Sequence, residues 1–367
     1  MAEDPHRTDL IALFDAAVAR AQPARCLPGL FPDWPGGRII VIACGKAAAA
    51  MARVAEGHYA DAIAQGRYRA LAVTRHGYGV PLEHTRLIEA GHPVPDDGSL
   101  RGAEAALEAA GSAEADDLVL VLLSGGASAL CAAPVPGLTL DDKRALTQAL
   151  LRSGATISQI NCVRKHLSRF KGGRLTARAA PARVVTLAIS DVPGDAPDAI
   201  GSGPSVPDPT TLTDARQVLA DFGIAPGPAV AAALNDPANE TPKPGDAAFA
   251  NAEYTVAATA AQSLEAAAEQ ARARGYRPVI LGDALEGEAR DLAKDHAAQA
   301  RELQGRGERV ALLSGGEATV TLAGVLASTA RGMMLRARAG ASREEVLAIG
   351  LAAARLVAEA VERPSKT

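Results

Sequence analysis

Short apolar runs that stop at glycine-bearing polar loops, each followed by an Ala-rich helical stretch, restrict this chain's fold more than any other feature. The runs are RIIVIACG (38–45), RALAVTR (69–75), DLVLVLLSG (117–125), ARVVTLAISD (182–191), TVAATA (255–260), RPVILGD (277–283) and RVALLSGG (309–316). Helical stretches between them include RGAEAALEAA (101–110), DKRALTQALLRSG (142–154) and EGEARDLAKDHAAQARELQ (286–304). Uninterrupted apolar strands alternating with helices predict an α/β fold whose parallel sheet is covered on both faces. Ligands of such sheets sit beyond the carboxyl ends of the strands. That rule turns attention to CGKAAAA, SGGASA, SDVPGDAPDAIGSGPS and SGGEATV, the small polar segments that follow four of the runs.

At 367 residues the chain is long enough for two domains. The loop-like stretch LNDPANETPKPGDAAFANAE (234–253) places a boundary near its start, giving an N-terminal domain over 1–236 and a smaller one over 237–367. A formal net charge of −4 and 3% aromatic residues give no basic surplus and no stacking platform, so nucleic acid is not an expected partner. Four scattered cysteines without a CxxC pair argue against a zinc site or a disulfide framework and fit a reducing cytosol. No apolar run is long enough for a membrane span, and the N-terminus lacks signal-peptide character. A soluble, cytoplasmic protein, alone or as a homodimer, is the expectation.

Four segments carry chemistry. In VIACGKAAAAMARVA (41–55) a strand runs into Gly45-Lys46 and a helix starts at once, which puts Lys46 where backbone N–H groups already favour an anion. Ala47 stands where a P-loop would carry its magnesium-binding hydroxyl, and an ordinary surface lysine fits the spacing equally well. In LLSGGASALCAAPVPG (122–137) Ser124, Gly125 and Gly126 can bring backbone against a ligand, although a plain strand-to-helix connection would look the same. In SQINCVRKHLSRFKGGRLT (158–176) six basic residues fall within eleven positions and end at Gly172-Gly173, either a converging anion site or a solvated face. In LAISDVPGDAPDAIGSGPSVPDPTT (187–211) Asp191, Asp195 and Asp198 follow a strand. Carboxylates there suit magnesium held mainly through water and phosphates, or a proton acceptor for a hydroxyl nucleophile; a turn also uses these residues.

Strung in order, CGKAAAAMA, GHPVPDDGSLRGAEAAL, LLSGGASAL, QINCVRKHLSRFKGGRL, AISDVPGDAPDAIGSGPSVPDPTT, LEGEARDLAKDHAA and LLSGGEATVT resemble the MOFRL family over roughly residues 5–324. These are the class II glycerate 2-kinases, a group that has also carried the name hydroxypyruvate reductase. The resemblance implies ATP-dependent phosphorylation of D-glycerate at its 2-hydroxyl, with Mg2+. It further implies a Rossmann-like, doubly wound first domain, a smaller α/β domain, and a cleft between them. Carried over by position, Lys46 and Asp191 are the catalytic candidates, with Asp191 and Asp195 as metal ligands. Ser124, Gly125, Gly126, Asn161, Arg164, Lys165 and His166 are the expected substrate contacts. Lys171, Gly172, Gly173, Gly201 and Gly203 are expected at nucleotide phosphates, together with Ser314, Gly315, Gly316 and Glu317 of the second SGG turn.

After about residue 324 the chain departs from the family. The Gly-rich GRGGRNQE-like stretch and the DG-containing segment have no counterpart, and the surroundings of Arg331-Gly332 carry no role over. Val346, Ile349, Gly350 and Ala353 share one helical face there, which predicts a re-capped, truncated second domain or a shifted reading frame. Two other functions remain open at this stage. One is NAD(P)H-dependent reduction of hydroxypyruvate, against which the missing GxGxxG counts. The other is a non-catalytic paralogue that binds glycerate or nucleotide.

Overall fold

The computed structural model describes residues 5–304 and 309–319. Two helices, α1 (Pro5–Arg20) and α2 (Pro23–Cys26), lead into β1 (Ile39–Cys44), after which come α3 (Ala48–His58), α4 (Ala60–Ala64), β2 (Tyr68–Arg75) and β3 (Thr85–Ala90). Then follow α5 (Asp97–Gly111), β4 (Leu118–Leu123), α6 (Ala127–Leu130), α7 (Leu140–Arg152), α8 (Ile157–His166), α9 (Arg174–Ala179) and β5 (Arg183–Ile189). After α10 (Leu212–Asp221) and α11 (Pro228–Asn235), β6 (Ala252–Ala258) and α12 (Ala260–Ala273) close this part. The chain ends its described course with β7 (Arg277–Glu288), α13 (Ala289–Gln304) and β8 (Val310–Thr319).

The first six strands form one sheet in the order β3-β2-β1-β4-β5-β6, every neighbouring pair parallel. This is the doubly wound strand order, in which the direction of winding reverses between β1 and β4. The apolar strands explain why both faces are covered. Ile40, Ile42 and Cys44 of β1 with Val119, Val121 and Leu123 of β4 pack beneath Ala103, Ala106 and Ala110 of α5. The alternate residues Ile39, Val41 and Ala43 with Leu118, Leu120 and Leu122 pack against Met51, Ala52 and Ala55 of α3. A period of two thus feeds two cores with no polar face between them. A third core is purely helical: Leu146 and Leu150 of α7, Ile160 and Val163 of α8, Leu219 of α10 and Val230 of α11 meet there.

The first unit differs from the sequence expectation in two features. Strand β3 was not expected, because TRLIEA mixes Arg and Glu into a half-exposed edge strand and so lacks a continuous apolar run. The expected boundary at 236/237 falls inside the first compact unit, which reaches Ala266, the second beginning at Ala267. The cause is β6: it hydrogen-bonds to β5 and completes the first sheet instead of opening a new one.

In the second unit β7 and β8 pair in parallel around α13, a β-α-β element. The expected turn at Ser314, Gly315, Gly316 and Glu317 does not form: all four lie inside β8, with Ser314 opposite Gly282 and Glu317 opposite Glu286. Gly316 holds φ 138°, and a side chain there would overlap the Leu285 backbone of β7. The glycine therefore serves a cross-strand close approach beside two register shifts in β7. The expected helical face of Val346 to Ala353 and the Arg331-Gly332 pair lie outside the described residues. No helix among the described residues is long and apolar enough to cross a membrane.

Leu120, wholly buried at the centre of the sheet, offers a direct check on this core. Leu120→Ala is expected to destabilise by about 2–5 kcal/mol. In urea this would lower the unfolding midpoint without changing the slope.

Candidate active site

The winding reversal between β1 and β4 creates the crevice, and the two loops that leave these strands are hydrogen-bonded across it. Lys46 N–H donates to Gly125 O at 2.8 Å, and Ala47 N–H donates to Ser124 Oγ at 3.0 Å. Ser124 is 3% exposed, so its hydroxyl is committed to joining the loops and is not presented to a ligand. Gly125 owes its identity to the third loop: a Cβ there would overlap the Asp191 carboxylate, which arrives from the end of β5. Gly126 caps α6 in the left-handed region at φ 85°, and a Cβ on it would meet His92 Nε2 at 3.0 Å and Lys46 Cε at 3.3 Å. Lys46, His92, Gly125, Gly126 and Asp191 are thus brought together from four loops. Neither the Lys46 ammonium nor the Asp191 carboxylate has a hydrogen-bond or ion-pair partner among the described residues.

His92 is half-buried, and burial pushes its imidazolium pKa down, with the charges of Lys46 and Arg75 adding to burial against Asp191. The ring is accordingly neutral at neutral pH. Its loop is pinned by Asp96, which accepts from Ser99 N–H as the cap of α5 and pairs with His76 Nε2 at 2.8 Å.

From His92 and Gly126 a cavity of 370 Å³ runs back between the 93–95 loop, α6 and α7. Its charged lining is all basic: Lys143, Arg144, Arg164 and Lys171, with no Asp or Glu. Lys143, in α7, is 8% exposed and donates Nζ–H to Leu167 O at 2.9 Å. Burial, then the neighbouring Lys171, Arg164 and Arg174 charges, push its pKa well down. Lys171 is 2% exposed, and its Nζ donates to Ser128 O at 2.7 Å and Cys131 O at 2.9 Å. Burial brings its pKa to about 8, with Cys131 and Cys44 opposing the shift and Arg164 adding to it. Arg164 is half-buried and lacks a carboxylate or carbonyl partner among the described residues. Crowded cations depressed in this way gain from an anion that enters and restores their charge. Arg144 plays a supporting part, bonding Asp141 at 2.6 Å and Pro95 O through Nε at 2.8 Å so that the loop stays on α7.

The basic segment divides by role. Arg164 and Lys171 line the cavity. Lys165 does not face it: its Nζ lies 3.1 Å from Asp198 and 3.3 Å from the wholly buried Asp208. His166 is also buried, its ring bonded to Cys162 O at 2.8 Å and Glu240 at 3.0 Å. Both anchor the 191–208 and 240–243 loops, where the sequence expectation had them as ligand contacts. Asn161 reaches the cavity only indirectly, by accepting from Ser202 Oγ. Gly172 and Gly173 donate their N–H groups to Ser202 O and Gly203 O, so they seat that loop and leave no free amide for a phosphate. Gly201 and Gly203, at φ 61° and 60°, shape the same tight turn. Asp195 is half-buried in the loop after Asp191. Sequence reading missed His92 and Lys143. A Gly-His-Pro triplet was the available signal for the first, whereas nothing separates Lys143 from any lysine on an amphipathic helix.

Comparison with known proteins gives concordant relatives. The profile of a family described as a domain of unknown function, DUF4147, matches residues 9–235. A protein of Agrobacterium vitis, provisionally named hydroxypyruvate reductase, is 45% identical over 350 residues, 94% of this chain and 76% of its own length. The D-glycerate 2-kinase of Thermotoga maritima is 36% identical over 319 residues, 86% of this chain and 74% of its own. A crystal structure of glycerate kinase from Thermotoga maritima matches with a TM-score of 0.74 at 35% identity, covering 86% of this chain and 75% of that one.

Lys165→Met separates anchoring from ligand contact. It leaves Asp208 buried with the Thr241 and Thr210 hydroxyls as its remaining side-chain partners. A loss of about 3 kcal/mol, the low end for breaking a buried pair, is expected as a fall in Tm.

Proposed function

The chain belongs to the glycerate kinases of the DUF4147 family, and from that premise we propose that it transfers the terminal phosphoryl group of ATP to the 2-hydroxyl of D-glycerate. The observation that carries this reading is the pairing of a partnerless Lys46 and Asp191 at the winding reversal with a cavity whose charged lining is wholly basic. The substrate carboxylate is drawn by Arg164, Lys143 and Lys171 into that cavity. The carbinol end then points toward Gly126, His92 and the reacting groups.

Phosphoryl transfer asks the protein for position and charge more than for covalent chemistry. Asp191 accepts the proton that the 2-hydroxyl releases as its oxygen attacks the phosphorus, a role that needs an ionised carboxylate without an internal cation partner. Lys46 lies at the N-terminal side of α3, where its ammonium and the helix dipole together offset charge on the transferring group. Neutral His92 offers a hydrogen bond beside them without adding to the positive charge.

Among the described residues there is no cluster of three His, Cys, Asp or Glu side chains able to cage a metal. Magnesium does not require one, since it keeps waters and takes one or two carboxylates plus substrate phosphates. Asp195, four residues on from Asp191 in the same loop, fits that donor set and would hold it, leaving Asp191 to accept the proton. Bound there, the ion would neutralise phosphate charge. The rival reduction of hydroxypyruvate is not favoured: β1 passes into α3 through Gly45-Lys46-Ala47, without the glycine pattern of a dinucleotide loop.

The test is ADP release with D-glycerate and ATP. Lys46→Ala is expected to lower kcat by about 10²- to 10³-fold with Tm unchanged, because its ammonium has no partner to lose. Full turnover in this variant would rule out the assigned role. The pH profile tests the cavity. Lys171 is charged below its pKa of about 8 and loses that charge as pH rises through it. For glycerate, kcat/KM should therefore hold below pH 8 and fall above it, and Lys171→Met should flatten the fall.

A further inference from the structure

Ser128 lines the cavity, and the direction of its hydrogen bond is determined behind the cavity wall. Its Oγ lies 2.9 Å from Ser202 Oγ, and Ser202 Oγ donates to Asn161 Oδ1 at 3.1 Å. A hydroxyl has one proton. With that of Ser202 given to the Asn161 carbonyl, the bond between the two serines must use the proton of Ser128. Ser128 then presents only lone pairs to the cavity, so it accepts from a ligand O–H and has nothing to donate.

The chain of bonds is built into rigid surroundings. Ser202 is wholly buried and holds φ 63°, a left-handed conformation uncommon for a residue other than glycine, while Asn161 is 5% exposed. The backbone of Ser128 is held by Lys171, whose ammonium bonds both Ser128 O and Cys131 O.

We propose that Asn161, Ser202 and Ser128 form a relay of fixed polarity that reads the second, non-reacting hydroxyl of the acid substrate. It selects dihydroxy acids over acids lacking that group. The inference rests on the kinase reading above. There Asp191 takes the reacting hydroxyl and the basic residues take the carboxylate, which leaves the 3-hydroxyl as the remaining proton donor on glycerate. Ser128 is the binding residue, and Ser202 and Asn161 position it. The cavity of 370 Å³ exceeds the volume of a three-carbon acid, on the order of 100 Å³ or a few waters. That volume leaves room for one added methyl group, so a 3-O-methyl ether tests the polarity.

Calorimetric titration of the full chain with D-glycerate, D-lactate and 3-O-methyl-D-glycerate decides the matter. The wild-type protein should bind glycerate about three- to tenfold more tightly than lactate. The methyl ether should bind no better than lactate, since its oxygen has no proton to give. Ser128→Ala and Ser202→Ala should each erase the advantage of glycerate and leave lactate where it was. Asn161→Asp, which keeps the acceptor, should preserve that advantage, and Asn161→Leu should lose it. If the Asn161 variants do not fold, the ether and the serine variants decide alone. An ether that binds as tightly as glycerate would reverse the polarity and overturn the proposal. So would an equal loss for glycerate and lactate in Ser128→Ala, which marks a merely structural residue. A wild-type protein that prefers glycerate in this pattern yet releases no ADP would overturn the kinase reading and leave the relay standing. Binding of none of the three would overturn both.

Discussion

The site depends on one seam, the pair of hydrogen bonds that ties the loop after β1 to the loop after β4. Ala47 N–H to Ser124 Oγ and Lys46 N–H to Gly125 O join the two strand ends where the winding changes direction. A doubly wound sheet opens a crevice at this point because the connections leave toward opposite faces. Without a cross-link the two loops would be free to diverge, and Lys46 would be an ordinary lysine on a helix start. The seam also explains the glycine that follows Ser124. With the backbone of Gly125 already bonded to Lys46, only the missing side chain leaves room for Asp191 to approach.

Around that seam the charges are sorted. Four carboxylates of the surrounding elements are engaged: Asp208 and Asp198 with Lys165, Asp141 with Arg144, and Glu240 with His166 and Lys243. Burial works to raise the Glu240 pKa, but the bonds from Lys243, Leu212 N–H and His166 outweigh it and hold the carboxyl to about 2. Lys143, Arg164 and Lys171 have no such partner. Burial depresses the pKa of all three, and for Lys143 and Lys171 the neighbouring cations add to it, a standing cost to the folded chain. A fold carries uncompensated charge of this kind where a ligand removes the penalty. The free pair at the seam follows the same logic, because a Lys46 neutralised by Asp191 would be worth little to a phosphate.

Much of this was legible in the letters, for reasons that differ from residue to residue. Strands β1 and β4 are wholly apolar because both faces are covered, and β5 departs from this only at Arg183 and Thr186, so all three stand out from the chain. The edge strand β3 touches solvent and does not. Lys46, Gly125 and Asp191 could be found because each follows such a strand and the strand-end rule applies to it. Lys165 and His166 were carried to the substrate by position in the family's motif, and a motif gives the place of a residue in the chain but not what its side chain meets. Their partners lie 33 to 74 positions away along the chain. The same distance hid the relay, since nothing in a local window joins Ser128 to Ser202, 74 residues on.

The two LLSGG stretches make the limit of local reading sharpest. Both end an apolar run with the same small residues, yet the backbone does different things. After β4, Gly126 turns left-handed at φ 85° and starts α6, so Ser124 and Gly125 lie in a loop with free edges that can dock on Lys46 and Asp191. In β8 the same letters stay extended, because β7 has shifted its register and pressed the Leu285 backbone against Gly316. A glycine pair permits a turn and permits a close approach with equal ease. The neighbouring strand decides which of the two is used, and that neighbour is a property of the topology.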